Sequence, residues 1–226
     1  MNCINCNKSI SNTNKLSLCK SCYQKLDYIK NPCIICSKEM PQNYKEIKCP
    51  LCMDNIYYFN RNISVVKYNE IISKIIYKYK YNYDTYISNY ISDIIIDKID
   101  ILELNFDYIL YVPLSKQRYK KRGFNQSKLI AKNLEKHYKK QVLNVLTRKK
   151  NTKFLSGLKK EERKKELKDA FLVNKKYRDI LSNKSIIIID DIFTTGSTLN
   201  EISKILRKSF DLKFIFCVTF ATGNNM

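Results

Sequence analysis

Eight of the nine cysteines fall in the first 52 residues, as four C-x-x-C pairs: Cys3/Cys6, Cys19/Cys22, Cys33/Cys36 and Cys49/Cys52. A C-x-x-C turn aims two thiolates at one centre, and two such turns complete a tetrahedral site. A unit this small cannot bury enough apolar surface to hold together alone, so a bound metal has to organise it. Disulfides are rare in the cytosol, which leaves structural zinc as the expectation and redox thiols as the alternative. Eight thiolates allow two ions. They group either in sequence, Cys3, Cys6, Cys19, Cys22 and then Cys33, Cys36, Cys49, Cys52, or as a cross-brace; spacing does not separate the two. All-thiolate ligation leaves no open position, so catalytic zinc is not expected. Both halves read C-x2-C-x12-C-x2-C, an internal duplication. The expected division is a Cys-rich double zinc-binding region over 1–58 and a larger domain over 59–226.

The remainder of the 226 residues alternates strand and helix patterns. Strands are expected at "NISVVKY", "FDYILYVP", "QVLNVL", "SIIIID" and "KFIFCVTFA". Helices are expected at "NEIISKIIYKYK", with Ile71, Ile72, Ile75, Ile76 and Tyr79 on one side, and at "DTYISNYISDIIIDKIDIL" with Asp84 as N-cap. "NQSKLIAKNLEKHYKK" and "STLNEISKILRKS" read as two more. The charged stretch 147–169 reads as a flap with a helical end. This order implies an α/β fold, a parallel sheet flanked by helices, with a small zinc-ribbon-like unit ahead of it. Cys217, within an apolar strand pattern, reads as a core thiol. No apolar run approaches the roughly 20 residues of a membrane span. The first residues lack the pattern of a signal peptide, so a cytoplasmic protein without a transmembrane segment is expected.

One stretch carries the chemistry, "SIIIIDDIFTTGSTLNEI" (185–202). A strand ending in Asp190 and Asp191 sets two carboxylates at the carboxyl edge of a parallel sheet, where open α/β folds bind ligands. Thr194, Thr195, Gly196, Ser197 and Thr198 then open a helix whose N–H groups, hydroxyls and dipole suit a phosphate. Gly196 lets the backbone close on it. The acids would repel that phosphate unless they accepted hydrogen bonds from something else, and vicinal ribose hydroxyls fit. The bland alternative, a helix capped by Ser197 or Thr198, accounts for one hydroxyl and for neither acid.

These residues resemble the phosphoribosyl pyrophosphate (PRPP) motif of type I phosphoribosyltransferases. "YVPLSKQRYKKRGFNQSKLIA" (111–131) is similar to the VPL…RGFNQS signature of the ComF/GntX branch. "TKFLSGLKKEERKKELKDAF" (152–171) is similar to that branch's loop, with Leu155 where Gln is usual and Glu166 where Asn is usual. Gly123, Gly157 and Gly196 fall within these motifs. The resemblance implies a type I phosphoribosyltransferase fold and transfer of ribose 5-phosphate from PRPP to a nitrogen acceptor, with Mg²⁺ accompanying PRPP. It implies that Asp190, Asp191 and Arg122 are the catalytic set. Leu114 and Ser115 would offer backbone N–H groups to pyrophosphate and Arg118 would neutralise it. Asn125 would touch ligand or cap a helix. The stretch 147–169 would act as a lid. Thr194 stands where enzymes of 6-oxopurines carry Asp, which argues against hypoxanthine or guanine as acceptor. The ComF branch is linked to natural competence, so single-stranded DNA and competence helicase or channel proteins are the implied partners.

The formal charge of +21 is open to two readings. The chain is rich in Ile, Lys, Asn and Tyr, residues of AT-rich codons, so a solvated lysine coat competes with polyanion binding. The alternative function is a non-catalytic competence module gripping single strands, with tyrosines of "YKYKYNYDTY" stacking on bases. A PRPP-sensing regulator would need a DNA-reading element, and no clear one is found.

Overall fold

The computed structural model describes residues 2–10, 17–150, 162 and 166–223. Its centre is a four-stranded, all-parallel sheet in the order β1-β6-β5-β2. The strands are β1 (Arg61–Lys67), β2 (Tyr108–Tyr111), β5 (Lys184–Phe193) and β6 (Leu212–Thr222). Parallel strands covered on both faces should be continuously apolar rather than alternating. Ile186, Ile187, Ile188 and Ile189 are all fully buried. Ile187 and Ile189 face one core with α3 (Glu70–Tyr81), α4 (Ile87–Ile101) and α6 (Gln126–Tyr138). Ile186 and Ile188 face the other with α8 (Ser197–Ser209), through Leu199, Ile202 and Leu206. At about 1.5–3 kcal/mol per fully buried aliphatic side chain, this strand anchors both layers.

The helical stripe of α3 is as the periodicity predicts, since Ile71, Ile72, Ile75, Ile76 and Tyr79 are all buried. Asn69 caps it, its side chain accepting from the Ile72 N–H at 3.0 Å. Several expectations need correction. Asp84 does not cap α4; the helix starts at Ile87, after a turn in which Asp84 offers only its carbonyl. "QVLNVL" is not a strand of the sheet. Val142 makes one parallel bridge to Ile109, and a separate antiparallel pair, β3 (Leu146–Arg148) and β4 (Phe171–Val173), follows. The segment after Pro113 holds a helix, α5 (Lys116–Arg122), that no periodicity announces because it buries no residue. The last helix is capped by Gly196 with no side-chain bond, so neither Ser197 nor Thr198 is the cap. A short helix, α7 (Arg178–Leu181), precedes β5. Of the expected flap, 151–161 and 163–165, with Leu155 and Gly157, lie outside the described residues.

The cysteine pairs form two modules of matching backbone, offset by thirty positions. The N–H of Cys3 donates to Lys8 O, and that of Cys33 to Lys38 O, both at 2.8 Å. Asn7 and Ser37 both turn through positive φ, 60° and 59°. Short helices start within the second pair of each, α1 (Lys20–Tyr23) after Cys19 and α2 (Pro50–Met53) after Cys49, and carry Cys22 and Cys52. The modules dock on opposite faces of the sheet. Cys3, Ile4, Leu18 and Cys22 join the α3/α4/α6 core, whereas Cys33, Cys36, Cys49 and Cys52 join the α8 core. Buried polar contacts fix the second module to β1: Ser37 Oγ donates to Asn62 O, and Asn62 Nδ2 donates to Cys36 O at 3.2 Å.

Candidate functional site

β5 runs past β2, whose last paired residue is Tyr111 opposite Ile189, and carries Asp190 and Asp191 just beyond that point, near the carboxyl edge of the sheet. The chain turns at Gly196 (φ +72°), a left-handed conformation that L side chains rarely adopt. A Cβ there would lie 2.4 Å from Phe193 Cζ, so glycine is required twice over. The loop is tied down from both sides. Gly223 N–H donates to Phe193 O at 2.7 Å, and Asn200 N–H to Gly196 O at 2.8 Å. Thr195 and Ser197 hydroxyls lie 2.8 Å apart. Thr194, Thr195, Gly196, Ser197 and Thr198 thereby line a small recess that also touches Asp190.

Beside it opens a cleft of about 260 Å³ lined by Leu114, Arg118, Arg122, Asp190, Asp191, Thr194 and Thr198, among others. The sequence-predicted residues therefore converge, although they come from two separate stretches, 111–131 and 185–202. Ser115 and Asn125 stand behind the lining. Ser115 caps α5, its Oγ accepting from Arg118 N–H at 3.3 Å. Asn125 caps α6 and donates to Val112 O at 3.0 Å.

The two acids differ. Asp190 Oδ1 accepts from Ser127 Oγ at 3.1 Å and from the Asp191 N–H at 2.9 Å. Burial, then the neighbouring Asp191 charge, push its carboxyl up to about 7. Burial also raises Asp191, but the charge and direct contact of Lys80, with Arg122 beyond, outweigh it and hold this carboxyl below the usual range. Arg118 is lowered by burial and by Arg122. Arg148, brought by β3, is 6% exposed and is lowered to about 10 by burial and by Arg118. Arg122 lies over the Tyr81 ring at 5.3 Å and donates to Gln126 Oε1 at 3.1 Å.

Lys80, Tyr81, Gln126, Ser127 and Arg148 were not singled out by sequence reasoning, yet all line the cleft. Lys80 carried a signal, because it sits four residues after buried Ile76 on the apolar side of α3. Arg148 carried one too, two residues after buried Leu146 on the inward side of a strand.

The cysteines resolve into Cys3, Cys6, Cys19, Cys22 and Cys33, Cys36, Cys49, Cys52, the sequential grouping. Within each set the four sulfurs lie within 4.8 Å of one another. Cys6 and Cys19 are 3.7 Å apart, and Cys36 and Cys49 are 3.6 Å apart. A tetrahedral zinc with bonds of about 2.3 Å has sulfur–sulfur edges of about 3.8 Å, so both sets fit the ion. The Cys49 N–H and Asn5 Nδ2 donate to Cys33 and Cys22 sulfurs, each at 3.2 Å, as suits thiolate ligands.

No family model matches the chain. It is 39% identical over 101 residues to competence protein F of Haemophilus influenzae, a match spanning 44% of each chain and so less than half of that protein. It is 26% identical over 200 residues, 85% of each chain, to the DNA utilization protein YhgH of Escherichia coli. It is 30% identical over 95 residues to competence protein ComFC of Bacillus subtilis, 42% of this chain and 36% of that one.

Proposed function

Starting from a chain that groups with the ComF proteins, we propose that it binds PRPP at the carboxyl edge of the sheet and transfers ribose 5-phosphate to a nitrogen acceptor, in the service of DNA uptake. One observation carries this reading: paired acids at a strand end lead through a left-handed glycine into a helix, beside a cleft lined with arginines. The recess of Thr194 to Thr198 would take the 5′-phosphate. Asp190 and Asp191 would accept hydrogen bonds from the ribose hydroxyls. Arg118 and Arg122, with the backbone of Leu114 and Ser115, would hold the pyrophosphate. C1 would gain positive charge as its bond to pyrophosphate breaks, and the carboxylates lining the cleft would offset that charge. Mg²⁺, where it accompanies PRPP, would offset charge on the leaving group. The two zinc sites would be structural, and the setting cytoplasmic. The decisive assay is pyrophosphate release from PRPP. A positive result with a nitrogen acceptor supports transfer; none across purine, pyrimidine and amine acceptors sinks it.

A second reading has its own observation. Tyr77, Tyr83 and Tyr119 are exposed, and Tyr119 lies on the basic helix α5. Basic side chains interleaved with aromatics suit single-stranded DNA, whose bases stack on rings at about 1–3 kcal/mol each. On that reading the chain is a competence accessory module that grips single strands or a helicase or channel partner. Binding of an oligonucleotide unaffected by loss of Asp191 would favour it.

A further inference from the structure

The last turn of α3 forms one wall of the cleft, and its residues are held at several points. Lys78 donates through Nζ to Ile4 O in the first cysteine module. Tyr79 is fully buried and donates to Gln126 O at 2.8 Å. Tyr81 packs under Arg122. Between them Lys80 enters the cleft, and its ammonium pairs with Asp191 Oδ2. Asp191 Oδ1 is already engaged by the Ile192 N–H at 2.9 Å. Lys80 therefore holds the carboxylate oxygen that a ribose hydroxyl would need.

A lysine that merely neutralised a buried acid would leave a balanced site. This one does not. Lys80, Arg118, Arg122 and Arg148 line the cleft against Asp190 and Asp191. Among these lining residues cations outnumber carboxylates, even with Glu166 acting on Arg148 from nearby, and such a lining suits a ligand with several negative charges. Lys80 lines this cleft and not the recess of Thr194 to Thr198. Its partner would thus be the anion at the sugar's far end.

Resting on the sugar-phosphate reading above, we infer that Lys80 is a ligand-exchanged cation. It is paired with Asp191 in the free protein. It moves to a pyrophosphate oxygen when ribose hydroxyls take the carboxylates. The same residue then sets specificity, because only a ligand bringing both hydroxyls and a second anionic group satisfies both partners of the pair. A sugar monophosphate would break the pair and give Lys80 nothing in return.

The test compares wild type, Lys80→Gln and Lys80→Arg by titration with PRPP, inorganic pyrophosphate and ribose 5-phosphate. Gln can still donate to Asp191, and Arg keeps the charge, so the fold is protected twice; thermal melting checks it. Lys80→Gln should bind PRPP and pyrophosphate about ten- to a hundredfold more weakly, the range for one lost hydrogen bond to a charged group. Its affinity for ribose 5-phosphate should hold or rise, because no ion pair with Asp191 has to be broken, and Lys80→Arg should stay near wild type for all three. Unchanged or tighter PRPP binding by Lys80→Gln overturns the inference, as does an equal loss for all three ligands, which would mark a purely structural role. If wild type binds neither PRPP nor pyrophosphate, the sugar-phosphate reading falls and Lys80 falls with it. If wild type binds and the variants match it, only Lys80 falls.

Discussion

Asp190 and Asp191 are adjacent in sequence and opposite in behaviour. Asp190 has a folded pKa of about 7, above the unfolded value of about 3.9. The folded state therefore binds its proton more tightly, and stability drains away as pH rises through the window between those values. Asp191 lies below the usual range, so its pairing with Lys80 stabilises the fold above the unfolded pKa and is lost as pH falls through the folded one. Asp190→Asn keeps an acceptor for Ser127 and the Asp191 N–H while removing the raised carboxylate. At pH 8 it should melt higher than wild type by more than about 2 °C, roughly 1 kcal/mol for a chain of this size. Below pH 4 the gain should vanish. A variant that melts lower at pH 8 would contradict the assignment. Gly196→Ala should cost about 1–2 kcal/mol for the left-handed backbone alone, before its contact with Phe193 is counted. A melting temperature unchanged from wild type would mean the loop is not held as described.

Both acids and the glycine were legible in the sequence because their types and spacing serve one purpose. Lys80 and Arg148 were not, because a chain with 42 Lys and Arg hides two cleft-lining cations among many solvated ones. Only their place on buried faces sets them apart. Asp84 misled for the reverse reason: it is a good capping type at a position where the chain turns before the helix begins.

Among the elements, α8 was legible end to end from its amphipathic stripe, and β5 in its run of isoleucines, although the strand continues to Phe193, past the acids expected to end it. The helix α5 was not, because "KQRYKKR" buries nothing and has no period to detect. The cysteine modules were legible as ligand sets but not in placement, since pattern says nothing about which face of a sheet a module covers. That placement matters to the site. The second module leads into Phe59, whose ring meets Phe193 edge-on at 6.1 Å, and Phe193 packs beneath Gly196. The following linker is strapped to α8, with Asn200 Oδ1 accepting from Tyr58 N–H and Arg207 Nε donating to Tyr58 O, both at 2.7 Å. Purified protein should hold two equivalents of zinc per chain. Cys6→Ser and Cys49→Ser should each lose one of them. The second change should lower the melting temperature more, because Cys49 is buried in the core that carries the loop whereas Cys6 is exposed. Loss of both ions from either variant would argue for one shared site.

At the scale of the whole molecule, two modules clasp the sheet from opposite faces, and the cleft opens at its carboxyl edge between what they support. The first backs α3 and hence Lys80; the second backs the loop around Gly196. Among the described residues, no helix is long and apolar enough to cross a membrane. The net charge of +21 makes some affinity for nucleic acid expected at low salt. If that affinity belongs to the surface outside the cleft, single-strand binding should fall steeply with salt and be unchanged in Asp191→Asn. A loss in that variant would instead place DNA in the cleft.

The central claim is that the paired acids and the loop after them form a sugar-phosphate site. Calorimetric titration of Mg-PRPP into zinc-loaded wild type and into the Asp190→Asn/Asp191→Asn double variant tests it most directly. The account predicts saturable binding by wild type and a loss of at least tenfold in a double variant that still melts cooperatively. Equal binding by both proteins, or none by a folded wild type, would contradict it.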